Sequence, residues 1–254
     1  MAAADKRPKT ECPVRVKRVI MSQLDVLHKN PEELFILIPD SSEIRVCYGL
    51  IGGLGEPYKG GEYIFQLIMH DDYPDVPPRL IFLTATGVFV PGHVVCISVG
   101  EFHADDKPGA QGSKGWRKAM GLRGFSREVV NALICSEDLG TGIGIDHKSS
   151  FEKRLLALQS RASNEKQYPE IMAEFNQHIE AWPESAAVKS ILAARAGSGA
   201  GANAAAGAGA DSVPARADSA PARADSAPAA PAPAPAPQPA STDELDQILA
   251  AMRM

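Results

Sequence analysis

The chain has 254 residues, 44% of them hydrophobic, and a formal net charge of -5. That is enough apolar material for a packed core, and it offers no general basic surface for nucleic acid or an anionic membrane. The first residues, MAAADKRPKTECP, lack a secretory apolar core, and no run of eighteen apolar residues occurs, so the reading is a soluble protein without a membrane span.

In chain order, residues 1–12 are expected to be a disordered N-terminus, its Lys6, Arg7 and Lys9 read as an ordinary charged end. From Arg15 to Lys29, Val16, Val19, Ile20, Leu24 and Leu27 recur at helical spacing, and Pro31 ends the helix. Leu34 to Ile38, Ile44 to Ile51 and Tyr63 to Met69 are apolar or alternating runs separated by turn residues, which predicts an antiparallel meander. Pro74, Pro77 and Pro78 have no amide hydrogen for a ladder and force an irregular connection to a fourth run, Leu80 to Leu83. Residues 85–115 show no helical period and read as a long loop. Helical patterns return at Trp116 to Leu133, Ser149 to Asn164, with Ser149 or Ser150 as cap, and Pro169 to Trp182. One helix, four strands, a long loop and further helices make an α+β core over 13–183.

The composition then changes. Residues 184–240 are Ala, Pro, Gly and Ser with a near-repeat of ADSxPAR, and are expected to be a disordered linker. Residues 241–254 carry a capping-box spacing at Ser241 and Glu244 and a stripe of Leu245, Ile248, Leu249 and Met252, predicting a short amphipathic helix.

Four cysteines, Cys12, Cys47, Cys96 and Cys135, are widely spaced with no CxxC pair. No zinc site or other cofactor is expected, and a reducing compartment, cytoplasmic or nuclear, fits best. On local composition, Cys96 in its Val-Val-Cys-Ile run reads as a core thiol.

The wider segment changes that reading. Pro57, Tyr58, Gly60 and Gly61 form a PYxGG-like turn; Tyr73, Pro74, Pro77 and Pro78 form YPxxPP; Val95, Cys96, Ile97 and Ser98 follow. In that order and spacing the chain resembles the ubiquitin-conjugating enzymes. It is most similar to their J-type branch, through Leu83 to Phe89, Phe102, His103, Asp105, Trp116 and the segment FEKRLLALQSRASN. It departs from the pattern in having Thr86 where that branch keeps an asparagine, and in a longer stretch between Asp105 and Trp116.

The resemblance implies the UBC fold and a carrier that accepts ubiquitin as a thioester on Cys96. Thr86, Ser98, His103 and Asp105 are then candidate supporting residues, with His103 able to take a proton from the nucleophile and Asp105 to orient it. It also implies that basic Arg15, Lys17 and Arg18 of the first helix meet the ubiquitin-activating enzyme or a ligase. Protein substrates would be modified on lysine, or on serine or threonine. Two other readings stay open: a non-catalytic scaffold of the same fold, and a core that is incidental to a recruiting C-terminal helix.

Overall fold

The computed structural model describes residues 10–101, 115–139 and 142–200, all within one unit spanning Met1–Ala202. The expected N-terminus before Thr10, His103, Asp105, residues 201–240 of the linker and the helix at 241–254 lie outside the described residues.

The elements are α1 (Val14–Lys29), β1 (Phe35–Pro39), β2 (Val46–Ile51), β3 (Tyr63–Ile68), β4 (Arg79–Phe82), α2 (Gly121–Ile134), α3 (Ser150–Gln167), α4 (Pro169–Ala181) and α5 (Ala186–Ala200). The strands form an antiparallel meander in the order β1-β2-β3-β4. Its register sets Ile36 opposite Leu50 and Leu50 opposite Ile64, and sets Leu37 opposite Gly49 and Gly49 opposite Phe65. Because side chains alternate across a strand, those two rows lie on opposite faces.

Both faces are covered. Phe35, Leu37, Cys47, Phe65, Leu67 and Phe82 pack with Val16, Ile20, Leu24 and Leu27 of α1 and with Leu122, Phe125, Val129 and Leu133 of α2. On the other side, Ile36, Leu50, Ile64 and Ile81 pack with Met172, Phe175 and Ile179 of α4 and Val188 and Ile191 of α5. A sheet buried on both sides accounts for runs such as FILI and VCYGLI that are apolar throughout rather than alternating. At roughly 1.5–3 kcal/mol for each large side chain fully buried, these two layers dominate the stability of the unit.

Helix α3 starts where a capping box predicts. The Ser149 hydroxyl accepts from the Glu152 amide, and the Glu152 carboxylate accepts from the Ser149 amide at 2.9 Å.

The expected linker boundary at residue 184 is corrected here. Residues 186–200 are helical, with Ala187, Val188 and Ile191 buried. Alanine favours a helix intrinsically, and its small side chain lets a helix lie close on a sheet. The guanidinium of Arg195 then grips the Glu62 carboxylate in two bonds, 2.6 and 2.9 Å, and Glu62 is only 1% exposed. Among the described residues no helix is long and apolar enough to cross a membrane.

Candidate active site

Beyond β4 the chain folds back along it. Val94 bridges Ile81 in antiparallel sense, and the Val95 amide donates to the Leu80 carbonyl at 2.9 Å. Extended backbone turns alternate side chains to opposite sides. Val95 and Ile97 are accordingly buried in the core and Cys96 between them is half-buried; the chain then turns, with Ser98 exposed and Val99 buried. Core packing of its two neighbours thus leaves Cys96 as the partly accessible residue of this stretch.

The turn before this strand is also built from the inside. Thr84 lies buried, its hydroxyl accepting from the Ile64 amide at 2.8 Å and donating to the Asn164 side-chain oxygen at 2.6 Å. Thr86 is buried too, and its Oγ1 accepts from the amides of Val88 and Phe89 at 3.1 and 2.8 Å. Those bonds give Thr86 a turn-shaping role, with its oxygen committed to local backbone. Phe89 stacks on Phe82 with ring centroids 4.5 Å apart, which ties the turn to the sheet.

A second segment lies beside Cys96. The Cys96 amide donates to the Ile143 carbonyl at 3.0 Å. Val90 donates to the carbonyl of Gly144, Asp146 to Val88 and Lys148 to Gly87, so residues 142–148 run alongside both 87–90 and 94–96. Gly144 has φ +74, and a β-carbon there would stand 2.5 Å from the Val94 carbonyl oxygen. The Ile143 side chain is 56% exposed beside the cysteine. None of this wall was among the residues expected from sequence. Its signal in the sequence is glycine at alternate positions, Gly140, Gly142 and Gly144; at Gly144 the backbone packs close to that of Val94.

Burial pushes the Cys96 thiol above its ordinary range. Such a sulfur is mostly protonated near neutrality, which lowers its reactivity toward stray electrophiles. Cys47 is wholly buried in β2 and raised by the same cause. Cys12 is half-buried and Cys135 exposed at the end of α2.

Of the basic residues on α1, Arg15 pairs with Asp75 at 3.1 Å, and Asp75 is shared with Lys118. Lys17 and Arg18 lie exposed on the same helix.

No protein-family model matches the chain. Among curated proteins it is similar to one described as ubiquitin-conjugating enzyme E2 J2-like from Dictyostelium discoideum, 28% identical over 160 residues, covering 63% of this chain and 85% of that one. Ubiquitin-conjugating enzyme E2 J2 of Homo sapiens is 26% identical over 190 residues, covering 72% of this chain and 67% of its own. The curated relatives it matches are ubiquitin-conjugating enzymes. Within that family its similarity lies with the J-type enzymes. A solved structure of human ubiquitin-conjugating enzyme E2 G1 aligns with 47% of this chain and 95% of its own, at 27% identity and a TM-score of 0.40. The UBC-like arrangement of this chain rests on the element order and strand register described above.

Proposed function

We propose that this chain is a ubiquitin-conjugating enzyme that carries ubiquitin as a thioester on Cys96 and transfers it to a lysine amine of a protein substrate, or to a serine or threonine hydroxyl. The observation that carries the reading is the partly accessible Cys96, set between buried Val95 and Ile97 with its amide bonded to the Ile143 carbonyl.

Two exchanges make up the chemistry. The Cys96 sulfur attacks the carbonyl of ubiquitin's thioester on the activating enzyme; a new S–C bond forms, the old one breaks, and the activating enzyme's thiol leaves with the proton. One thioester replaces another, so little net change in free energy is involved. An acceptor nitrogen or oxygen then attacks the same carbonyl, an amide or ester forms, the Cys96 S–C bond breaks and Cys96 regains its thiol. The backbone bond from the Cys96 amide to Ile143 holds the residue that would bear the thioester, and orientation of this kind supplies much of the rate in acyl transfer.

In this reading Lys17 and Arg18, with Arg15, offer α1 as a cationic face to the activating enzyme or a ligase, and His103 and Asp105 serve the acceptor step. Incubation with activating enzyme, ubiquitin and ATP tests the proposal on a non-reducing gel. A thiol-sensitive adduct that Cys96→Ala abolishes is expected; its absence, with the activating enzyme itself charged, would leave only a binding scaffold.

A further inference from the structure

Lys153 is 1% exposed, although lysine is almost never fully buried unless paired. Its ammonium donates to the Ser136 hydroxyl at 3.2 Å and to the Glu137 carboxylate at 2.8 Å, and lies 5.9 Å from the centroid of the Tyr58 ring. Ser136 and Tyr58 share a further buried hydrogen bond of 2.8 Å. The stem of Lys153 fills the space above Gly87, where a β-carbon would stand 2.8 Å from its Cγ. One side chain on α3 therefore touches the Pro57–Gly61 turn, the turn that leads to Cys96, and Ser136 and Glu137.

Stability alone gives a poor account of this arrangement. The Glu137 side chain is 81% exposed, so its charge is largely screened, while the ammonium has been taken out of water. Replacing a whole buried ion pair with apolar residues of similar volume is commonly neutral or stabilising, so a buried pair is weak evidence for stability. What the lysine adds is geometry. Lys153 touches Ser136 and Glu137, upstream of the wall at 142–148 in the chain, and Gly87, which accepts from Lys148 at the wall's far end.

We infer that Lys153 is a positioning residue for acyl transfer from Cys96, acting through the wall at 142–148 and touching no reacting atom. The inference rests on the thioester reading above. Misplacement of a reacting group by about 1 Å can cost roughly a hundredfold in rate, so a partial loosening of the wall is expected to cost about tenfold.

The test uses full-length Lys153→Met, with Lys153→Arg as the conservative variant and Ser136→Ala as a second route to the same contacts should the methionine variant fold poorly. Two quantities are read on each: hydrogen exchange at the Cys96 and Val90 amides, which needs no ubiquitin, and discharge of preformed thioester to free lysine. For Lys153→Met we expect faster exchange at both amides, normal thioester formation and discharge slowed about tenfold, with Lys153→Arg restoring both in part. Ser136→Ala should shift both in the same direction. Unchanged exchange at Cys96, or discharge that stays at the parental rate while exchange rises, would overturn the inference. If the parental protein forms no thioester, the Cys96 proposal fails by itself, and the exchange data still decide whether Lys153 braces the wall.

Discussion

The backbone amide of Cys96 donates to the carbonyl of Ile143 at 3.0 Å, so the candidate nucleophile is held by a segment that lies beyond α2 in the chain. Neighbouring Gly144 makes that approach possible, with φ +74 and no β-carbon to strike Val94.

Gly144→Ala is therefore expected to lose about 1–3 kcal/mol from left-handed backbone strain alone, before any displacement of Val94. For a chain of this size that lowers the melting temperature by about 2–4 °C per kcal/mol. Thermal denaturation checks it, and a variant melting with the parent would show that the wall is not packed as described.

Arg195→Met removes the partner of a carboxylate that is almost wholly enclosed. Breaking a buried pair from one side costs about 3–5 kcal/mol, and part of that cost falls on α5 because Arg195 anchors it. Limited proteolysis should cut within 186–200 in the variant well before the parent. Equal cleavage would mean that Val188 and Ile191 hold α5 unaided.

Because burial raises the Cys96 thiol, its thiolate is scarce at neutral pH and still increasing above the ordinary thiol value of about 8.5. The rate of Cys96 alkylation, followed by peptide mapping, is expected to keep climbing past that pH. A plateau at or below 8.5 would show a thiol that the protein does not perturb upward.

Arg45 is fully buried against the Glu43 and Asp71 carboxylates, and its hydrogen bonds hold both below the usual carboxylate range. A carboxyl whose value is lower in the folded state stabilises fully above its unfolded value, about 4.3 for Glu and 3.9 for Asp. That contribution is lost as pH falls through the lower folded values. Urea midpoints measured from pH 6 downward should fall through this window in the parent and change less in Arg45→Met, which starts lower. Parallel curves would refute the coupling.

The fold was legible wherever periodicity and burial coincide. Val16, Ile20, Leu24 and Leu27 recur at the helical period and all face the core, and the Gly-Gly turn and three prolines delimit β3 and β4. Helix α5 was not legible because alanine carries little directional signal and only Val188 and Ile191 mark its inner face; Glu62, which holds Arg195, lies far away in sequence. At the site, the motif order singled out Cys96, and the alternation of Val95, Cys96, Ile97 and Ser98 is in the sequence itself. Ile143 escaped it, and Lys153 and Asn164 entered it only as part of FEKRLLALQSRASN, because their contacts with distant segments are visible only after folding. Thr86 was expected beside the chemistry, and its oxygen is occupied by the amides of Val88 and Phe89.

The most direct test of the central claim is the intact mass of the full chain after incubation with activating enzyme, ubiquitin and ATP. The account predicts one added ubiquitin less a water, removed by thiol and absent from Cys96→Ala although Cys12, Cys47 and Cys135 remain. An unmodified mass beside a charged activating enzyme, or an adduct that persists in Cys96→Ala, would contradict it.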